Sequence, residues 1–475
     1  MARASYTLNV SPDVLGNMID IYFDNMTAIS LFHEPSFQDK LLSIESPAQT
    51  HALLAAVLAF SARFCAPESQ DGYNSSMLAG MNHNPLYFLE RASRFFEEAL
   101  KECGDESPPL CVLQAQILIA HCQLTQGVRG MAWRALGTCV RLAYELNLHL
   151  VDVERPQHVV DPKQWCEDEE KRRAWWAIWE MDVFASTVRR YPTAVNWSQI
   201  ETLLPVEDKY WFQGKPWASC FLELDPIRRW KVLQESGNQS AKAWFLVINS
   251  LMKEAQLISS PQAVSRLDRV DRRRYSAKPN KDRIHAATMA DEARDKLETL
   301  ENCVRCFVMA LPNSLKYRNQ YLGFEASQPG EISSSSRQRD CGLYNIHIMT
   351  QLSKLMIHHY GIFSESARTS RTAPKQYRDI TSQSFASGGI KNDDSVAVYQ
   401  YFEAADEILG IVNRSSEDHI QHINAFLAST IWLASAVQLV RKEFGPSETN
   451  ISLVKSKFEV LNLTYKRHTI EGSER

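Results

Sequence analysis

Trp133-Arg134-Ala135-Leu136-Gly137-Thr138-Cys139-Val140-Arg141-Leu142-Ala143-Tyr144-Glu145-Leu146-Asn147-Leu148-His149 and, after a polar loop, Glu170-Lys171-Arg172-Arg173-Ala174-Trp175-Trp176-Ala177-Ile178-Trp179-Glu180-Met181-Asp182 are the stretches that decide the fold. In the first, Trp133, Leu136, Val140, Ala143 and Tyr144 recur at helical spacing, and Arg134 and Arg141 fall off that stripe. Asn147 suits the end of this helix, because asparagine tolerates the left-handed conformation better than most residues. The second stretch is preceded by Glu167-Asp168-Glu169, which complements a helix N-terminus. Four-residue spacing pairs Glu167 with Lys171, Asp168 with Arg172 and Glu169 with Arg173, so the basic triplet is expected to be neutralised on its own helix. From Trp175 to Phe184 little polar face remains, which predicts a central helix.

Outward from this pair the same period recurs. Ser11-Pro12 starts a helix as N-cap and first residue, with Leu15, Met18, Ile19, Tyr22 and Phe23 on one stripe. Pro35 ends it near Phe32-His33-Glu34-Pro35-Ser36-Phe37. Further helices are expected over His51–Phe64, Tyr87–Cys103, Leu110–Leu124, Ala241–Ile258, Ala286–Leu311, Asn345–Tyr360, Val396–Val412 and Asp418–Phe444, with a weaker one at Leu453–Thr464. The segments 68–85, 151–164 and 192–226 read as loops. No alternating strand series is present. The fold class is all-α, a large multi-helix bundle or array with long polar loops. The chain divides into a first region, 1–225, and a C-terminal helical region, 226–475, with polar linkers near 259–283, 325–340 and 365–395.

The 475 residues are 44% hydrophobic and 23% charged, and carry a formal net charge of -4. That balance excludes a globally basic nucleic-acid binder, so any DNA contact needs a local patch or a separate module. The first ten residues contain no apolar signal core, and Ile423 to Val440, the longest apolar run, is interrupted by Asn424, Ser429, Thr430, Ser435 and Gln438. A buried core helix is expected there, with no membrane partner. Ten cysteines without a secretory signal point to free thiols in a reducing compartment.

Several residue sets invite chemistry. Cys303-Val304-Arg305-Cys306 has metal-ligand spacing, but no second pair follows at a suitable distance, so structural cysteines are expected. His358 and His359 point about 100° apart on a helix and do not share a metal easily. Asp393-Asp394 sit in a Gly- and Ser-bearing stretch that reads as a solvated loop, not as a magnesium site on a helix wall. No phosphate loop, dinucleotide fingerprint or nucleophile elbow occurs, so a helical enzyme ranks last among the readings. Arg272-Arg273-Arg274, with neighbouring Arg266, Arg269, Lys278, Lys281 and Arg283, form a candidate nuclear-import patch diluted by Asp268, Asp271 and Asp282.

The focal stretch resembles the fungal-specific transcription factor domain, the regulatory middle homology region of fungal zinc-cluster transcription factors. Trp133-Arg134, Gly137, Arg141-Leu142-Ala143 and Leu146-Asn147-Leu148-His149 match its first block, with Asn147 in place of glycine. Arg172, Arg173, Trp175, Trp176 and Asp182 match its second, and Tyr191-Pro192 stand for its usual Arg-Pro. Leu204-Pro205 with Glu207-Asp208 resemble its closing motif, and Tyr22-Phe23 with the His33–Phe37 turn resemble its opening one. The family typically carries a six-cysteine zinc cluster, and no such cysteine series is found in this sequence, so no cofactor is expected here. The resemblance implies a nuclear regulator of RNA polymerase II-dependent expression of a fungal pathway or metabolic gene cluster. It would act as a truncated factor or co-regulator through the transcription machinery or a partner transcription factor. Direct DNA contact would require an N-terminal module beyond this sequence, and a small-molecule effector is compatible with the family. A helical scaffold without DNA or ligand is the competing reading.

Overall fold

The computed structural model describes residues 2–26, 28–64, 84–153, 161–259, 281–325, 336–372, 392–445 and 449–473. In chain order its α-helices are α1 Ala2–Leu8, α2 Pro12–Asn25, α3 Phe37–Ser43, α4 Pro47–Ser61, α5 Pro85–Cys103, α6 Leu110–Thr125, α7 Gly130–Glu145, α8 Pro162–Arg189 and α9 Asp208–Phe212. They continue as α10 Pro226–Ser236, α11 Ala241–Ser259, α12 Lys281–Ala310, α13 Ser336–Thr372, α14 Asn392–Asn413, α15 His419–His422, α16 Ala428–Phe444 and α17 Ile451–Ser473. Among the described residues the only β pairing is an isolated bridge between Leu322 and Ser415. The all-α reading holds.

Local chemistry explains where the helices begin. Ser11 caps α2 through its side chain, Ser46 caps α4, Asn84 caps α5 and Asp225 caps α10, each followed by proline at the first helical position. Asp161 does the same for α8, accepting from the amides of Lys163 and Gln164. The helix therefore starts at Pro162, five residues ahead of the acidic run, and not inside it. Asn147 takes the left-handed conformation, φ 52° and ψ 32°, as expected after α7.

Three further expectations are corrected. The stretch 418–444 is not one helix: α15 stops at His422, Asn424 caps a short 3-10 turn at Ala425–Leu427, and α16 follows. Asparagine's preference for capping outweighs the apolar run around it. Asp393 and Asp394 belong to the first turn of α14, not to a loop, because that helix starts at Asn392. α13 reaches from Ser336 to Thr372, well beyond the expected 345–360, and α1, α3, α9 and α10 were absent from the sequence reading.

α4 and α6 are buried almost throughout, and α8 is buried from Glu169 to Ser186 apart from Lys171 and Phe184. Helices apolar all round can only sit inside other helices. α8 packs against α6, α7 and α11, and α11 lies along α13 in an extensive helix pairing. One continuous apolar core runs from Ala4 to Leu461, with a small satellite of Trp165, Val206 and Trp211 under the loop after α8. The run after Asn424 buries Phe426, Leu427, Ile431, Ala434 and Val437 but turns Trp432 and Leu439 to solvent, so it is amphipathic and not buried throughout, and no described helix is long and apolar enough to cross a membrane.

The α11–α13 crossing depends on Gly342. A Cβ there would lie 2.8 Å from the Cβ of Ala241. Gly342→Ala gains about 1 kcal/mol of helix propensity but costs about 1–3 kcal/mol in overpacking. A net loss of up to about 2 kcal/mol is expected in urea denaturation, with recovery in the Ala241→Gly/Gly342→Ala double variant. An unchanged single variant would show that the crossing is loose.

Candidate functional site: the α8 clamp and its adjoining cleft

The first turns of α8 carry a buried polar cluster. Glu169 is fully buried, and Arg172 and Arg173 are each 6% exposed. Arg172 grips Asp152 with two parallel bonds, Nε to Oδ2 at 2.9 Å and Nη2 to Oδ1 at 2.6 Å, and also donates to Glu169 at 3.3 Å. Arg173 donates Nε to Glu169 at 3.0 Å, Nη2 to the carbonyl of Val206 at 2.8 Å and Nη1 to Asp208. Its guanidinium stacks 4.0 Å from the Trp211 ring centroid. Glu169 and Asp152 also accept the amides of Val206 and Leu203, and Trp176 Nε1 donates to Leu203 O at 2.7 Å. Planar, bidentate arginine suits this role, since it satisfies several fixed acceptors at once.

These bonds reach across the chain, correcting the expected pairing along α8. Only Glu169–Arg173 forms as spacing predicts. Lys171 pairs with Asp168, three residues back, and Arg172 turns to Asp152 in the loop after α7. Arg172 and Arg173 thereby pin two loops, 148–153 and 201–208, which also bond to each other: Thr202 Oγ1 to Leu148 O at 2.6 Å, and Glu201 N to His149 O at 2.7 Å. On another face Glu170 takes Lys40 and Gln114.

Further along α8, Glu180 holds Lys242 of α11 and Asn424 of the cap before α16. Asp182 accepts the Val195 amide at 2.9 Å. Burial pushes its pKa up to about 6, against the pull of the Val195 and Ala194 amides and of Lys253. Burial likewise pulls Lys253 down to about 8, with Asp182 opposing. A carboxyl whose pKa is higher folded than unfolded binds its proton more tightly in the native state. Its contribution to stability is therefore lost as pH rises from about 4 to 6. Asp182→Asn should remove that fall relative to the parent in melting curves taken every half pH unit. Parallel curves would show that Asp182 does not titrate in this window.

The motif residues separate into two groups. Arg172, Arg173, Trp175, Trp176 and Asp182 are buried together on α8. Arg134, Gly137 and Arg141 are exposed on α7, and Pro192 is exposed in the loop after α8. Trp133 is half-buried, with the Arg189 guanidinium 5.0 Å from its ring centroid and Tyr191 edge-on at 6.0 Å. Nothing within 4 Å of Gly137 requires the missing side chain. Arg272, Arg273 and Arg274 lie outside the described residues. Cys303 and Cys306 sit one turn apart on α12, and among the described residues no group of three or more His, Cys, Asp or Glu side chains could hold a metal ion. The donor set of a six-cysteine zinc cluster does not fit anything in this sequence.

Beside the clamp lies a cleft of about 310 Å³. Arg173 and Ala177 are the α8 residues in its wall, with Ile29, the loop 205–209, the start of α11, Leu315, α13 and Asn424. None of the four tryptophans of α8 lines it. Trp165 packs in the satellite with Val206 and Trp211, Trp175 against Tyr144 and His149, Trp176 against Trp179, and Trp179 also against Trp197.

Residues 19–242 match the fungal specific transcription factor domain, a match that takes in the clamp and most of the cleft wall. Over 211 residues it is 27% identical to the Zn(2)-C6 fungal-type transcription factor FTF1c of Fusarium oxysporum f. sp. lycopersici, covering 43% of this chain and 21% of that protein. It is 31% identical over 150 residues to the citrinin biosynthesis transcriptional activator mrl3 of Monascus ruber, covering 31% of this chain and 29% of the relative. The tropolone cluster transcription factor tropK of Talaromyces stipitatus is 29% identical over 135 residues, 28% of this chain and 24% of the relative. The alignments thus span less than a third of each relative. No solved structure matches.

Proposed function

We propose that this chain is a non-enzymatic regulator of transcription in a fungal nucleus. It governs RNA polymerase II-dependent expression of a pathway's genes, such as a metabolic gene cluster, through the helical domain at 19–242. The observation that carries the reading is that domain match, with relatives named as a citrinin biosynthesis transcriptional activator and a tropolone cluster transcription factor. The buried clamp supports a domain whose loops are held in one arrangement, a body on which an effector or partner can act. Its partners on this reading are the transcription machinery or a second transcription factor, with DNA reached through a zinc-cluster module carried elsewhere.

Deleting the gene and sequencing transcripts tests this directly. A coherent set of pathway transcripts should fall or rise, and a tagged chain should accumulate in the nucleus. An unchanged transcriptome with a cytoplasmic tag would favour the scaffold reading. Replacing Arg272, Arg273 and Arg274 with alanine should lower nuclear accumulation if the basic stretch directs import. A mobility-shift assay with the purified chain should show no salt-sensitive, sequence-selective binding, because that term needs a run of phosphate contacts.

A further inference from the structure

The cleft beside α8 joins two parts of the molecule. One side is the domain match, from Ile29, Arg173 and the loop 205–209; the other is Leu315, α13 and Asn424, beyond residue 242. The floor is apolar, made by Ile29, Ala177, Phe245 and Leu315. Of the charged side chains around it, Arg173 is engaged by Asp208, Lys209 by Glu207 and Lys242 by Glu180. Arg339 differs. Its side chain is 58% exposed and makes only long contacts, 3.4 Å to Asp340 and 3.3 Å to Ser336. Four cationic residues and two anionic ones line the cleft, and the positive end of the 19-residue α11 opens on it at Ser240–Lys242. Phe245 and Asn424 also line a second pocket of about 40 Å³. Asn249 Oδ1 and Thr430 Oγ1 belong to its lining, on side chains 3% and 1% exposed, and neither has a hydrogen-bond partner. Buried polar atoms without partners are costly and are found where something else completes them.

From these features we infer that the cleft is a binding site for a small amphipathic organic anion, an apolar ring body with a carboxylate or comparable acidic head. The acidic head faces Arg339 and the start of α11, the ring lies on Phe245 and Leu315, and a polar group at the far end meets Asn249 and Thr430. Such a ligand touches both sides of the Glu180–Lys242–Asn424 junction, so its binding stabilises the packing of the domain against α13. This is the effector site of the proposed regulator and rests on that reading, but its test does not depend on transcription.

The probe is 6-hydroxy-2-naphthoate, compared with its amide and with the matching aminomethyl naphthol, titrated into the purified 475-residue chain. The carboxylate should bind saturably, with a dissociation constant on the order of 1 mM or tighter for so few atoms, and should raise the melting temperature. The amide should bind about tenfold more weakly, the loss expected for a charge-assisted hydrogen bond, and the amine more weakly still. Arg339→Gln, at an exposed position, should weaken the carboxylate by a similar factor and leave the amide unchanged. Ala28→Phe should abolish binding of both by filling the cleft, and Ser314→Trp at the exposed rim serves if that variant does not fold. No saturable binding, equal binding of the three heads, or binding indifferent to these substitutions would overturn the inference while leaving the transcript experiment to decide the function.

Discussion

Glu169→Ala should lower the stability of the chain by about 3–5 kcal/mol, the cost of breaking a buried ion pair by removing one partner. Glu169 is fully buried and accepts from Arg172, Arg173 and the Val206 amide. Counting charge alone, the loss looks harmless, because Asp152 and Asp208 still balance two guanidiniums. The decisive term is the donors. Three buried N–H groups lose their acceptor, and each unsatisfied buried group costs about 1–3 kcal/mol. Against a total stability of about 5–15 kcal/mol for a native protein, the variant should be largely unfolded in mild urea. Glu169→Gln keeps an acceptor oxygen and should lose less than half as much. Because the cluster is out of contact with solvent, raising salt from 50 mM to 500 mM should leave both differences unchanged. An unfolding free energy within about 1 kcal/mol of the parent for Glu169→Ala would mean that water or Asp208 replaces the missing oxygen.

Helix content was readable because caps and apolar period agree: Ser11-Pro12 and Asn147 behave as their side-chain chemistry dictates. The pairing of Arg172 was not readable. The i,i+4 rule finds Asp168 because it is close in sequence, whereas Asp152 and Leu203 arrive through two loops whose return path leaves no local signal. α10 is hard to read in the sequence because Arg228, Arg229 and Lys231 interrupt its short apolar stripe, although Asp225-Pro226 at its start and Gly237 at its end are helix-boundary signals. The cleft was beyond sequence reasoning altogether, since its wall is gathered from segments between residues 28 and 424. Its one hint was Asn424, a polar residue inside an aliphatic run, which caps a turn and holds Glu180 from 244 positions away.

That division assigns separate work to the tryptophans and the arginines of α8, and Trp176→Ala isolates the first. Trp176 is fully buried, edge-on to Trp179 with centroids 5.6 Å apart, and donates to the Leu203 carbonyl. Truncation removes one of the largest side chains of the core and should cost about 3–5 kcal/mol through the cavity left behind. It also frees a buried carbonyl in the loop that Arg172 pins. Trp176→Phe separates the two terms: it keeps most of the ring volume but loses the donor, and should cost about 1–3 kcal/mol. Because Trp176 does not line the cleft, Trp176→Phe should bind the naphthoate probe with the parent's affinity once folded. Weakened binding in that variant would place the tryptophans in the site and not behind it, and would mean that the loop 201–208 is held in register by the indole as much as by the clamp.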